Sequence, residues 1–261
     1  MSDSFSPGGR PLTGTQTLLR GLAVIHAVAA GARDLKALCA SLDVPRSTAH
    51  RLASCLVQER YLRVVPGMGY ALGPRLVELG YQAREAFPIT TLARPHLEGL
   101  AALTGDTIHL AVRDGDEALY LDKIPGKKGL EMRSRVGSRM PLALTGVGKA
   151  LMLDDASPQW QALHRVGEPV VAHATPAGPT WAAFQARMRD YAGKGYAYDL
   201  EDNEPSIRCV AAPIRDASRQ IVAAISVSST VPYLSLERMA ELAPTVIACA
   251  QAISGELGLP A

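Results

Sequence analysis

The 261-residue chain reads as an α+β protein in two parts. Three observations lead there. Three closely spaced amphipathic helical patterns and a short hairpin open the chain; a longer body follows in which antiparallel strand patterns stand apart from helical ones. Charge divides along the same line: residues 1–72 hold eight Lys/Arg against four Asp/Glu, net +4, whereas residues 73–261 are net −2. A small basic front on a mildly acidic body implies different partners for the two.

Residues 1–13, rich in Ser, Pro and Gly, read as a disordered tail. In the first helical pattern, Thr15 or Thr17 can serve as the cap, and Leu18, Leu22, Ile25 and Val28 recur at three- and four-residue steps. Asp34 caps the second, where Leu35, Leu38, Cys39 and Leu42 share a face. Pro45 suits the first position of the third, whose buried stripe is Ala49, Leu52, Ala53 and Leu56. Ser47, Arg51, Ser54 and Gln58 then point outward, with Arg46, Thr48 and His50 at the margins. Only Asp43 and Val44 separate the last two helices, which demands a tight turn. Tyr61–Leu72 is two apolar runs around Pro66-Gly67 and Gly69, a hairpin.

Residues 14–73 therefore read as a winged helix-turn-helix. Arg46 and Arg51 are candidates for phosphate or guanine contacts on double-stranded DNA, and Ser47, Thr48 and His50 for backbone or base edges. The competing reading is a three-helix packing module with ordinary surface polarity. Residues 74–87 form a linker helix with Leu76, Leu79 and Ala83 on one side, ended by Phe87-Pro88. It either lies on its own domain or pairs with a second copy; pairing suits a near-palindromic operator.

In the body, residues 88–261, a helix over 89–103 precedes the strands Thr107–Arg113 and Ala118–Ile124, joined by a turn at 114–117. Two later strands, Arg208–Ile214 and Gln220–Ser228, flank a turn at 215–219. Helices fit Gly146–Leu153, Trp181–Gly193 and Ser235–Glu256, the last interrupted by Pro244. Along the final strand Ile221, Ala223, Ile225 and Val227 face a core, while Val222, Ala224, Ser226 and Ser228 face the other way and become small and polar. Cys209, Ala211 and Pro213 are also small. Such a face leaves room for a polar ligand, unless the serines satisfy neighbouring backbone instead. Leu142–Ala150 runs through Gly146 and Gly148 into a helix whose first N–H groups favour an anion, although it is not a nucleotide-binding P-loop, which needs Gly at 143 and Ser or Thr at 150. The basic run Lys127, Lys128, Arg133, Arg135, Arg139 is either a solvated loop or a second nucleic-acid surface.

Other classes fall away. No stretch approaches the roughly 18–20 apolar residues a membrane helix needs, and the N-terminus is not a secretory signal. Cys39, Cys55, Cys209 and Cys249 form no CxxC pair, which fits a reduced cytoplasm without disulfides. His96, His109, His164 and His173 lack metal-ligand spacing, and HExxH, GxSxG, SxxK and GxGxxG are missing, so neither a catalytic apparatus, a metal nor a cofactor is expected.

The segments RGLAVIHAV, VPRSTAHRL, YALGPRLVELG, RVGSRMPLALTGVGKALM, GYAYDLEDNEPSIRCVAAPIRD and VAAISVSS, in that order across about Thr15 to Leu257, resemble the IclR family of bacterial transcriptional regulators. The resemblance implies an N-terminal winged helix-turn-helix, a linker helix and a C-terminal sensing domain related to GAF and PAS folds, with dimers formed through the DNA-binding end and tetramers through the sensing domains. It implies a small effector: an organic, aromatic or sugar-derived acid. By position, the effector pocket falls on Gly146, Val147, Asp199, Cys209, Ser226 and Ser228, Asp199 on resemblance alone. Three departures stand out: Asp202 where the family usually has Glu, Ser206 where it has Gly, and Val147 where Ala is frequent. The competing function is an enzyme acting on a small acid through Cys209 or Asp199; a constitutive architectural protein is the third.

Overall fold

A computed structural model describes residues 15–85, 88–128, 132–171 and 179–259. The proposed tail and the end of the proposed linker helix lie outside them. The chain divides into two compact units, Met1–Ala86 and Phe87–Ala261.

In the first unit, α1 (Gln16–Ala29), α2 (Leu35–Leu42) and α3 (Arg46–Gln58) precede β1 (Leu62–Val65), β2 (Gly69–Leu72) and α4 (Pro74–Glu85). Val24, Ala27 and Val28 of α1, Leu38 of α2 and Ala49, Leu52 and Ala53 of α3 make the core, closed by Leu62. Asp34 caps α2 as expected, accepting the Ala37 N–H at 2.8 Å. Pro45 stands one place earlier than expected, at the N-cap, and α3 begins at Arg46. Thr15 occupies the α1 N-cap with helical backbone angles instead of the extended ones that aim a side chain at the first N–H groups. The stripe of α1 also turns further than its spacing suggests: Leu18 is 64% and Leu22 45% exposed, while Val24 and Ala27 take the core. β1 and β2 pair antiparallel, Leu62 opposite Leu72 and Val65 opposite Gly69.

The second unit is a six-stranded antiparallel sheet in the order β5-β4-β3-β8-β7-β6. Its strands are β3 (Thr107–Asp114), β4 (Glu117–Ile124), β5 (Arg139–Pro141), β6 (Ala197–Leu200), β7 (Ile207–Arg215) and β8 (Ile221–Thr230). The helices are α5 (Pro88–Thr104), α6 (Gly146–Leu151), α7 (Ser157–Val171), α8 (Trp181–Lys194) and α9 (Leu236–Glu256). One sheet face packs Leu110, Val210 and Ile225 against Leu97 of α5 and Val246 and Ile253 of α9. The other packs Ala111, Ala211 and Ala224 against α6 and against Phe184 and Met188 of α8. The split along β8 holds from Ala223 onward, with Ala223, Ile225 and Val227 in the first core and Ala224 in the second, but Ile221, expected with the first set, packs against the second core because the pairing with β7 shifts register between Ile214 and Arg215.

Five elements differ from the sequence reading. Pro244 does not interrupt α9, which runs unbroken. Proline removes one backbone hydrogen bond, but Met239, Ala243, Val246, Ala250 and Ile253 still align as one buried stripe, and that burial offsets the loss. α7, β5 and β6 had no periodic signal strong enough to be read. α6 ends at Leu151, two residues early.

All six residues of α6 are buried, Lys149 included. A Cβ on Gly148 would stand 2.2 Å from the Leu142 carbonyl oxygen, so only glycine permits this close passage. Gly148→Ala is therefore expected to lower folding stability by about 2 kcal/mol or more, measured by urea unfolding; an unchanged midpoint would refute this packing.

Candidate functional site

Two surfaces concern function, one in each unit. On α3, Arg46, Ser47, His50 and Arg51 are exposed and Thr48 is half-buried, because Ala49, Leu52 and Ala53 claim the inward side. Ser54 and Gln58 continue the outward row. The hairpin stands by the α1–α2 turn: the Tyr70 N–H donates to the Arg33 carbonyl at 2.8 Å, and Arg33 Nη1 returns a bond to the Tyr70 carbonyl at 3.1 Å.

In the second unit a cavity of about 550 Å³ opens between the sheet and α6. All six residues singled out for an effector, Gly146, Val147, Asp199, Cys209, Ser226 and Ser228, line it. Strand register brings them together: Asp199 stands opposite Cys209, Cys209 opposite Ser228, and Ser226 opposite His109. The Ser228 hydroxyl donates to Cys209 Sγ at 3.0 Å and lies 3.3 Å from the Ser226 hydroxyl. The serines thus meet one another and His109 in the cavity wall instead of turning to nearby backbone.

His109, Tyr120, Ser134, Thr145 and Asn203 join this lining. His109 Nδ1 lies 3.3 and 3.4 Å from the hydroxyls of Ser228 and Ser226, and Nε2 lies 2.7 Å from Ser134 Oγ. Burial, reinforced by the Lys123 ammonium, pushes the imidazole down to about 3, so it is a neutral hydrogen-bonding group at physiological pH. Its face tilts against Tyr120, ring centres 5.1 Å apart. Strand alternation could have shown His109: it falls on the Ala111 side, away from Ile108 and Leu110.

The glycine-bearing start of α6 offers fewer free donors than its sequence indicates. Thr145 Oγ1 accepts the Gly148 N–H at 3.0 Å, and the Gly146 N–H is directed at the Cys209 sulfur. A Cβ on Gly146 would stand 3.0 Å from the Cys209 Cβ, so this glycine brings α6 down onto β7.

Opposite lies an acid-rich segment that carries Asp199, Glu201, Asp202 and Glu204. Lys149 Nζ donates to Asp202 Oδ2 at 2.5 Å and reaches the Tyr198 carbonyl at 3.3 Å; Arg187 Nη1 contacts both Asp202 oxygens at 3.1 and 3.3 Å. Burial disfavours the Asp202 charge, but Lys149 and Arg187 outweigh it and hold the carboxyl below its usual range. Asp199 accepts the Asp202 N–H at 2.8 Å, yet burial lifts its carboxyl to about 6, with Lys149 opposing and the Asp202 charge assisting. Ser206 has φ +65°, a left-handed conformation that glycine adopts without strain and serine does not.

Three residues of the basic run have partners within the chain. Lys128 donates to the Thr104 carbonyl, Arg139 pairs with Asp114, and Arg133 lies 3.9 Å from Glu204. Among the described residues no cluster of three or more His, Cys, Asp or Glu is arranged for a metal, and no helix is long and apolar enough to cross a membrane.

Known proteins match both units. The family description "IclR helix-turn-helix domain" covers residues 17–66, and "Bacterial transcriptional regulator IclR C-terminal" covers residues 82–255. The chain belongs to the IclR family. It is 32% identical over 252 residues to the HTH-type transcriptional regulator XynR of Escherichia coli K12, covering 94% of this chain and 98% of that one. It is 29% identical over 251 residues to the transcriptional repressor IclR of the same strain, covering 94% and 91%. Among solved structures, a transcriptional regulator of Rhodococcus sp. RHA1 superposes with TM-score 0.79 at 27% identity, and the Thermotoga maritima IclR with 0.75 at 25%; each covers 93% of this chain and 98% of the other. As a member of this family the chain is a DNA-binding transcriptional regulator with an effector-binding C-terminal domain, and not an enzyme. Burial and the Asp199 charge push the Cys209 thiol up to about 12, leaving it protonated and a poor nucleophile.

The Asp199 environment has a measurable signature. In the folded chain its carboxyl keeps a proton up to about pH 6, whereas unfolded it loses it near pH 4, so its contribution to stability falls between those values and is flat above. Asp199→Asn is expected to raise stability at pH 7.5 by about 1–3 kcal/mol in urea unfolding, with the gain vanishing towards pH 4. An effect independent of pH would contradict this environment.

Proposed function

We propose that residues 14–73 bind a near-palindromic operator, that residues 74–87 link them to residues 88–261, and that the cavity in this last part takes a small organic, aromatic or sugar-derived acid. The observation that carries the reading is the cavity itself: six residues chosen from sequence, spread over α6, β6, β7 and β8, line one space. Its volume of about 550 Å³ lies within the range of small-molecule sites, and its lining mixes apolar walls with a few convergent hydroxyls.

In this reading the effector carboxylate rests against the Gly146–Val147 edge of α6 and the hydroxyls of Ser226 and Ser228. Val147 narrows the space beside the carboxylate. Asp199, Cys209 and the neutral His109 set the polar contacts of the remainder of the ligand. Binding shifts DNA affinity only if the effector favours one arrangement of the chain over another.

On α3, Arg46, Ser47, Thr48, His50 and Arg51 meet the duplex. A palindromic site requires two copies, as a homodimer or a homotetramer. Supporting this, α1 exposes Leu18, Leu19 and Leu22 and α4 exposes Val77, apolar surface beyond what the core of the first unit uses. The setting is the reducing cytoplasm, consistent with four free cysteines.

Thermal-shift screening of small carboxylic acids against the full chain tests the effector reading: a hit stabilises the wild type, and Ser226→Ala with Ser228→Ala weakens that shift while leaving operator affinity intact. An undiminished shift in the double variant would place the ligand elsewhere, and no response to any acid would favour an architectural role. Arg51→Ala is expected to weaken operator binding by roughly 1–3 kcal/mol in a gel-shift titration, and unchanged affinity would remove Arg51 from the interface.

A further inference from the structure

The first unit holds a second concave feature, a groove of about 510 Å³ between the start of α2, the start of α3 and the hairpin. Arg33, Lys36 and Arg46 line it, with Gly69 and Tyr70 of β2. Among its described lining residues the one carboxylate, Asp34, is already engaged by the Ala37 N–H. The groove is held open by fixed parts. Arg33 and Tyr70 exchange two hydrogen bonds, and a Cβ on Gly69 would fall 2.0 Å from the Arg33 carbonyl oxygen. The hairpin therefore approaches the α1–α2 turn over a glycine, in left-handed backbone at φ +87°.

We infer that this groove seats one backbone phosphate of duplex DNA between Lys36 and Arg46, so that Arg46 positions the reading helix and Arg51 reads bases. The inference rests on the proposed role of residues 14–73. Five residues apart on an α-helix, Arg46 and Arg51 stand about 140° apart around its axis. Arg46 lines the groove beside the hairpin, whereas Arg51 continues the outward row with Ser47 and Ser54. One arginine thus belongs to a concave cationic seat and the other to a convex polar ridge. A phosphodiester fits the first: it is anionic, needs no base identity, and is neutralised by charges approaching from two sides. The ridge fits the floor of a major groove. Arg33 contributes charge and, through Tyr70, fixes the hairpin at the edge of the seat.

The experiment measures binding of the full chain to a fluorescent 30-base-pair duplex of random sequence between 50 and 200 mM salt. This probe reports phosphate contacts without requiring the operator. Neutralising one phosphate contributes about −0.9 to the slope of log affinity against log salt, so Lys36→Gln with Arg46→Gln should make the slope shallower by about 1 and weaken binding several-fold at 100 mM salt. Lys36→Arg should retain the wild-type slope, and Arg51→Gln should change it by clearly less than the double variant does, because its guanidinium faces base edges and not a seated phosphate. All three side chains are exposed, and helical circular dichroism confirms that each variant is folded. A wild-type slope in the double variant overturns the phosphate seat alone. An equal change of slope in Arg51→Gln overturns the division of roles. Failure of the wild type to bind duplex at all overturns the DNA-binding reading itself.

Discussion

The buried ion pair between Lys149 and Asp202 is the interaction on which the second unit's site depends. α6 is short and wholly buried, so its lysine ammonium has no water and must find charge within the chain. Asp202 supplies it, and Arg187 of α8 shares the same carboxylate from a half-exposed position. Burial alone would lower the Lys149 ammonium, but the Asp202 and Asp199 charges outweigh it and raise it above its usual value. Through this pair, α6 and the turn after β6 are locked as opposite walls of one cavity. The Asp202 N–H then fixes the Asp199 carboxylate, and the same turn carries Asn203 and Glu204 to the rim.

The sheet supplies the rest. β3, β8 and β7 are buried on both faces, one against α5 and α9 and one against α6 and α8. A sheet packed tightly on both sides would have no room for a ligand. Small residues on a single face, Ala211, Ala224, Ser226 and Ser228, let α6 sit close at one end and leave a gap at the other. In that gap the hydroxyls, the thiol and a neutral imidazole bond to one another. Nearly all of this polarity is uncharged. In the first unit the same economy of small residues works differently: Gly69 lets the hairpin touch the α1–α2 turn, and the contact creates a groove.

Much of this architecture was legible in the sequence because it follows periodicity. Alternation along 221–228 separated Ile225 and Val227 from Ser226 and Ser228, and the structure places them in the core and the cavity respectively. Spacing along 46–58 separated Ala49, Leu52 and Ala53 from the outward row. What was not legible depends on contacts distant in sequence. Lys149 and Asp202 are 53 residues apart, and neither has a local pattern that announces the other. Asp199 sits in the four-residue strand β6, too short for alternation to register, and was placed by resemblance alone. Pro244 carries a strong local signal for a break, but burial along α9 overrides it. The stripe of α1 misled for the opposite reason: Leu18 and Leu22 are apolar in sequence yet stand outside the core of their own unit.

The most direct test of the central interaction is a double-mutant cycle on Lys149→Met and Asp202→Leu, read by urea unfolding. If the pair joins the two walls, Asp202→Leu strands the buried Lys149 ammonium and loses about 3–5 kcal/mol, Lys149→Met loses less because Arg187 still pairs with the carboxylate, and the double variant loses less than the sum by at least about 2 kcal/mol. Losses that add within about 0.5 kcal/mol would show that Lys149 and Asp202 act independently and that the walls are held by other means.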